Sequence, residues 1–259
     1  MSDLHAGRRQ TPGLADALGA LVEQVSPELV LATGDLAHRG RPEQLGAARD
    51  LLAGLGPPFL VVPGNHDIPY SFPARFTRPW RHFEAAFGTV DPVHRSESLV
   101  VCGLDSVRPW RHQGGRLSAE RLAAVAPAFE DASAGALRVV ALHHHLAGAP
   151  WRTSRKFPLK QRDHALEVFA SAGAELVVGG HIHQATVIER REFEVVDEAG
   201  PAGLVLATAP GLGRPRPHRT GEAQGALVYE WDAARLAVLT YAWENGVFVR
   251  IARREFPRR

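Results

Sequence analysis

Apolar residues fall along the chain in short continuous runs separated by longer stripes of helical period, and each run ends on polar residues. Leu29-Val30-Leu31-Ala32 reads as a buried strand ending at Gly34-Asp35, and Phe59-Leu60-Val61-Val62 as another ending at Gly64-Asn65-His66-Asp67. Ahead of the first, Thr11 as a cap and Pro12 at the first helical position predict a helix, with Leu14, Leu18, Leu21, Val22 and Val25 as its buried stripe. Pro42 opens the next helix, Leu45, Ala48, Leu52 and Leu55 face inward, and Gly56-Pro57-Pro58 stops it. Strand, helix, strand, with polar residues at each carboxyl end, describes an open parallel α/β sheet whose ligands gather at that end.

Residues 68–94 are rich in Pro, Phe and Arg without a clean period, which predicts a loop carrying a short helix around 80–87. A strand over 98–104 follows, then a helix capped by Ser118 and running to about Val125. A strand over 137–142 delivers His143, His144 and His145. The stretch 150–158, with Trp151, Arg152, Arg155 and Lys156, reads as a mobile loop beside the site. A helix over 162–172 leads to a strand over 175–178 and then Gly180-His181. After His183 only short strands are predicted, at 185–188, 204–207, 226–231, 236–243 and 248–252. They are expected to complete a second sheet in antiparallel fashion. No repeat and no long linker divides the 259 residues, so a single domain over 1–259 is expected.

Composition narrows the picture. At 45% hydrophobic the chain can build a proper core, yet no apolar run approaches the roughly 18 residues of a membrane span. The only cysteine, Cys102, excludes an internal disulfide and sits in an apolar run, as a small buried hydrophobe would. Met1-Ser2-Asp3 shows no basic-then-apolar leader, and the two features together predict a cytoplasmic protein. A formal net charge of +2 is too mild for a nucleic-acid coat. Arg214, Arg216 and Arg219 form the densest basic segment before the C-terminal tail and read as a solvated loop more than as a phosphate contact.

Candidate chemistry lies in five clusters, each following an apolar run except the first: Ser2-Asp3-Leu4-His5, Thr33-Gly34-Asp35, Pro63-Gly64-Asn65-His66-Asp67, Leu142-His143-His144-His145 and Val178-Gly179-Gly180-His181-Ile182-His183. His181 and His183, one residue apart, suit two neighbouring ions better than one. Asp3 and His5 converge if the chain bends; the Asp35 carboxylate has two oxygens with which to bridge; Asn65 offers an amide oxygen and His143 an imidazole. Mixed oxygen and nitrogen donors suit Mn, Fe, Zn, Co or Ni more than Mg or Ca. Two divalent ions about 3.5–4 Å apart would share a bridging hydroxide for in-line attack on phosphorus. His66 adjoins Asn65 and is a candidate to act at the leaving oxygen, with Asp67 orienting its ring. Because only two residues precede Asp3, a start upstream, a lost central strand and an Asp3 hanging from a frayed terminus are expected.

Asp3-x-His5, Gly34-Asp35, Gly64-Asn65-His66-Asp67, His143 and Gly180-His181-x-His183, in this order, resemble the calcineurin-like metallophosphoesterase superfamily. Within it, the unsplit Gly-Asn-His-Asp and Gly-His-Ile-His forms resemble bacterial class III cyclic-nucleotide phosphodiesterases. The resemblance implies a four-layer α/β/β/α sandwich of two mixed sheets, here with a truncated first strand. It implies that Asp3, His5, Asp35 and His183 hold one metal, that Asp35, Asn65, His143 and His181 hold the second, and that His66 acts near the leaving group. Gly34-Asp35 through Arg39-Gly40 also resembles the Gly-Asp-x-x-x-Arg-Gly of phosphoprotein phosphatases. Arg39 and His38 are therefore weaker substrate-binding candidates, against a solvated-loop reading, and His145 could line the pocket, His144 pointing to the opposite side of the strand. Trp80 and Trp151 could stack a base or pack locally.

The function these features imply is a dinuclear metal-dependent phosphodiesterase acting on a small phosphate ester, with 3′,5′-cyclic nucleotides as one substrate. Phosphomonoesterase or phospholipid or nucleotide pyrophosphatase action shares the same ligands. A catalytically weak interaction module retaining the fold is the alternative of another class. No nucleic-acid groove is expected, and the oligomeric state stays open, a homodimer included.

Overall fold

The computed structural model describes residues 1–147, 157–192, 203–215 and 222–258. Helix α1 (Leu14–Val25) starts two residues later than Pro12, behind Gly13 in left-handed backbone. Thr11 turns its hydroxyl to Gln224 Oε1 at 3.0 Å instead of capping the helix. Its stripe is as expected, with Leu14, Leu18, Leu21 and Val22 buried. Strand β1 (Val30–Ala32) leads to α2 (Pro42–Gly54), which does start on its proline and buries Leu45, Ala48 and Leu52, and then to β2 (Phe59–Val61). The aperiodic stretch after Asp67 holds two short helices, α3 (Ala74–Thr77) and α4 (Arg81–Phe87), and ends in a short strand, β3 (Val93–Arg95).

Strand β4 (Leu99–Gly103) precedes α5 (Ala119–Ala123), whose cap Ser118 accepts the Arg121 N–H at 3.2 Å, and α6 (Val125–Phe129). Then come β5 (Leu137–Ala141), α7 (Arg162–Ser171), β6 (Leu176–Gly179), β7 (Thr186–Glu189), β8 (Val205–Thr208), β9 (Gly225–Trp231), β10 (Arg235–Glu244) and β11 (Val247–Pro257).

Six strands form one mixed sheet in the order β3-β4-β5-β6-β8-β7, parallel from β4 to β8 with antiparallel edges. Strands β7 and β8 thus join this sheet rather than the second one expected for every strand after His183. All four residues of β8 are buried, as suits an interior parallel strand covered on both faces. The antiparallel trio β11-β10-β9 and the parallel pair β1-β2 make up the other sheet layer.

Alternation along the strands sorts side chains into layers. Val100, Cys102, Val140 and Val177 pack with Phe129, Leu166 and Phe169 from the helices on one face. From the opposite face, Leu99, Val101, Val139 and Val178 meet Leu60, Val62, Leu227, Val238 and Phe256 of the second layer. That layer's outer side meets α1 and α2 through Leu18, Leu45 and Leu52 in one cluster and Leu21 with Tyr241 in another. Helix, sheet, sheet, helix is the four-layer sandwich expected. Among the described residues no helix is long and apolar enough to cross a membrane.

The terminus expected to fray is instead held on both sides. Thr33 N–H and Leu212 N–H donate to the Met1 and Ser2 carbonyls at 3.0 and 2.9 Å, and Asp3 N–H donates to the Gly34 carbonyl at 2.9 Å. Beside Met1 lies a cavity of about 670 Å³ lined by Leu31, Leu137, Val139, Leu227 and Tyr229.

A buried ion pair ties the end of β11 to the mixed sheet. Arg258 Nε and Nη2 donate to the two Glu175 carboxylate oxygens at 2.7 and 3.1 Å, with the side chains 4% and 12% exposed. Glu175→Ala, which removes the opposite charge and leaves the guanidinium only the Asp232, Gly135 and Ala136 carbonyls, is expected to cost about 3 kcal/mol. Urea unfolding checks this, and Glu175→Ala with Arg258→Ala should be no worse than either alone.

Candidate metal centre

Each expected donor stands where a strand has just ended or, for Asp3 and His5, where the chain leaves its bonds to the β1 end. Five of them, Asp3, His5, Asp35, His181 and His183, hold left-handed backbone, with φ of 54°, 51°, 54°, 74° and 59°. Non-glycine residues avoid this region, at a cost of order 1–3 kcal/mol each. The strained turns throw the side chains back into one space. Two glycines permit the close approach. A Cβ on Gly34 would lie 2.6 Å from the Gly64 nitrogen and 2.8 Å from His143 Nδ1, and one on Gly64 would collide with the Asp35 nitrogen.

The donor atoms form two nests. In one, His183 Nε2 lies 3.0 Å from Asp3 Oδ1 and 3.4 Å from His5 Nε2, and His5 Nε2 lies 3.9 Å from Asp35 Oδ2. In the other, His143 Nε2 lies 3.4 Å from Asp35 Oδ1, 3.2 Å from Asn65 Oδ1 and 3.1 Å from His181 Nδ1. A cation bound at about 2.0–2.2 Å by such ligands holds them about 3–3.5 Å apart, so the spacing suits one ion per nest. Asp35 turns one oxygen to each.

Partners behind the donors fix their orientation. His143 Nδ1 donates to the Thr33 carbonyl at 2.7 Å, which leaves the Nε2 lone pair facing the nest. Asp3 Oδ2 accepts from Ser2 Oγ at 2.6 Å and from His181 N–H at 2.9 Å, which turns Oδ1 inward.

Charge in this buried space is balanced only by opposite charge. Burial works against ionising Asp3 and Asp35, yet His183 beside the first and His143 beside the second hold both well below the usual carboxylate range. Burial likewise disfavours the imidazolium of His143, and Asp35 overrides it, raising the ring to about 9. At His5 burial wins and lowers the ring to about 3. Two cations satisfy the same carboxylates without protons on the rings, so the donor set fits a dinuclear divalent centre.

The remaining candidates fare differently. Asp67 does not orient His66: its Oδ1 accepts Ala37 N–H at 2.7 Å and its Oδ2 accepts Gly64 N–H at 2.8 Å, clamping the Asp35 loop to the Asn65 loop. Burial and the neighbouring Asp35 push its carboxyl up to about 7. The His66 ring is placed instead by the His38 carbonyl, 2.9 Å from Nδ1, and by Tyr70 Oη at 2.7 Å. Tyr70 carries no sequence signal, since it lies in the aperiodic stretch.

His38 lies half-buried with its ring 5.8 Å from that of His66, while Arg39 is exposed and binds Gln44 through its backbone N–H. His145 is buried, its ring 6.0 Å from that of His181. His144, expected on the far side of the strand, packs 4.6 Å from the His181 ring with Nδ1 2.8 Å from Ser106 Oγ, because β5 ends before it and the alternation lapses. Trp80 is tied to Asp105 through Nε1 at 2.6 Å, which is local packing. Arg214 is exposed; Trp151, Arg152, Arg155, Lys156, Arg216 and Arg219 lie outside the described residues.

A four-layer sandwich with a carboxylate shared between two such nests falls in the metallophosphoesterase class. The calcineurin-like phosphoesterase family matches residues 1–185, and the chain belongs to it. Members of this family use a dinuclear divalent-metal centre. A probable cyclic nucleotide phosphodiesterase of Synechococcus sp. is 32% identical over 178 residues, 68% of this chain and 66% of the relative. A cAMP/cGMP dual specificity phosphodiesterase of Mycobacterium tuberculosis is 31% identical over 209 residues, 72% of this chain and 61% of the relative. The chain thus spans less than two thirds of the length of either. A purple acid phosphatase from yellow lupin seeds shares the fold with a TM-score of 0.70, at 13% identity, over 99% of this chain and 52% of that one.

Asp67→Ala would leave two buried N–H groups without an acceptor, at about 1–3 kcal/mol each. A marked fall in melting temperature is expected for Asp67→Ala and almost none for His66→Ala. Equal melting temperatures for the two variants would return Asp67 to a role at the ring.

Proposed function

We propose that the chain, as one unit over 1–259, is a metal-dependent phosphoric ester hydrolase acting as a phosphodiesterase on a small substrate in the cytosol, with 3′,5′-cyclic nucleotides as the leading candidates. The observation that carries this reading is the Asp35 carboxylate, with one oxygen 3.9 Å from His5 Nε2 and the other 3.4 Å from His143 Nε2. Diesterase action over monoesterase action is supported by the two relatives, whose names both give cyclic nucleotides as substrates or probable substrates. The cytosol is supported by the free, buried Cys102.

Asp3, His5, Asp35 and His183 hold one divalent ion, and Asp35, Asn65, His143 and His181 hold the other, with Mn, Fe, Zn, Co or Ni favoured by the mixed donors. Such a pair, when bound, supplies Lewis acidity to the phosphoryl oxygens and an activated water as nucleophile. The chain supplies the rest. His66 stands half-buried at the rim, its ring 4.8 Å from that of His5. Its Nδ1 faces the His38 carbonyl, which can only accept, so Nδ1 carries the hydrogen and Nε2 is the nitrogen left to meet the leaving oxygen.

The direct test uses Mn-loaded protein with bis-p-nitrophenyl phosphate and p-nitrophenyl phosphate. Faster release from the diester is expected; faster release from the monoester would make the chain a phosphomonoesterase, and turnover of neither would remove the hydrolase reading. Asp35→Asn is expected to lose metal and turnover together. His66→Ala should keep its metal and lose about 10²–10⁴ in rate.

A further inference from the structure

Among the described residues no carboxylate pairs with the His66 ring, and a ring held by one carbonyl can still rock about that bond. Tyr70 supplies the second restraint. Its Oη lies 2.7 Å from His66 Nδ1 and 3.4 Å from Nε2, which sets it against the ring beside the Nδ1–H that the His38 carbonyl accepts at 2.9 Å. The carbonyl fixes the tautomer, and the hydroxyl packed against the ring limits its rotation and hence the direction in which Nε2 points. His112 closes the third side, edge-on to His66 at 5.3 Å and to Tyr70 at 5.0 Å between ring centres.

Tyr70 is 40% exposed and would be a poor restraint if it moved freely, but its turn is anchored. Arg75, only 6% exposed, donates from Nη1 to the Pro69 carbonyl at 3.1 Å and from Nε to the Pro109 carbonyl at 2.8 Å. Its guanidinium carbon also lies 5.9 Å from the Tyr70 ring centre. One buried arginine therefore joins the turn that carries Tyr70 to the turn that carries His112. Phe76 stacked on Trp110 at 4.3 Å joins the same two segments a second time. Burying this charged side chain is costly, and its bonds to the Pro69 and Pro109 carbonyls offset part of that cost while tying the two loops together beside His66.

Building on the role of His66 at the leaving oxygen proposed above, we propose that Tyr70 is a positioning residue for His66. Its hydroxyl, locked in place through Arg75, aims Nε2 at the departing oxygen. Tyr70 itself touches neither the metal nests nor the phosphoryl group in this role.

The test is Tyr70→Phe, which keeps the ring and removes only the hydroxyl. Mn-loaded wild type and variant are compared on phosphodiesters whose aryl leaving groups run from p-nitrophenol to phenol. Poor leaving groups depend most on the group that meets their oxygen, so kcat is expected to fall about tenfold at the phenol end and less than about threefold for p-nitrophenol, steepening the dependence on leaving-group basicity. KM, metal content and melting temperature should hold. In a His66→Ala background, Tyr70→Phe should add nothing, because it acts only through that ring. An equal loss across all leaving groups, a further loss in the His66→Ala background, or loss of metal would overturn the proposal. Wild-type turnover with an unaffected Tyr70→Phe variant would sink this inference alone, whereas no wild-type turnover on any of the esters would take the hydrolase reading down with it.

Discussion

Asp35 keeps a carboxylate at 1% exposure with one oxygen turned to each of two imidazole groups. Burying an ion costs several kcal/mol unless opposite charge lies within reach. The arrangement therefore needs positive charge beside it, which one cation in each nest would supply, and the local structure around it holds both nests in place. Gly34 in left-handed backbone lets the loop after β1 lie against the loop after β2, and Gly64 leaves room for the Asp35 backbone. Asp67 then staples the two loops through Ala37 and Gly64, so that Asp35 and Asn65 cannot drift apart.

Much of this was legible because apolar runs and polar clusters alternate so plainly. A strand buried on both faces must be a continuous apolar run, and a polar cluster directly after it can only sit at the sheet's carboxyl edge. That logic puts Asp35, Asn65, His143, His181 and His183 at one edge from the sequence alone. The backbone that aims them was not legible. Aspartate and histidine at φ near +50° to +75° are adopted against their own preference, and nothing in their neighbours announces it. The dual use of Gly-Asn-His-Asp also misled: an acid beside a histidine suggests a ring-orienting pair, yet Asp67 points back to backbone donors of two loops.

Other misses have the same origin in tertiary context. Thr11 and Pro12 satisfied local capping rules, but the threonine hydroxyl found Gln224, more than two hundred residues away in sequence. Strands β7 and β8 look like the other short strands after His183, and only the open edge of β6 makes them part of the first sheet. Tyr70, Arg75 and His112 lie in segments without period, where sequence pattern has no purchase. Those segments shape the rim of the centre, whereas the strand ends shape its floor. The two are built by different means: the floor by paired strands and glycine turns, the rim by a buried arginine and stacked rings.

Anomalous diffraction from crystals of the chain grown with Mn tests the central claim most directly. Two strong peaks about 3.5–4 Å apart are expected, with Asp35 between them, one peak bordered by Asp3, His5 and His183 and the other by Asn65, His143 and His181. A single peak, or metal bound elsewhere with Asp35 contacting none, would contradict the account.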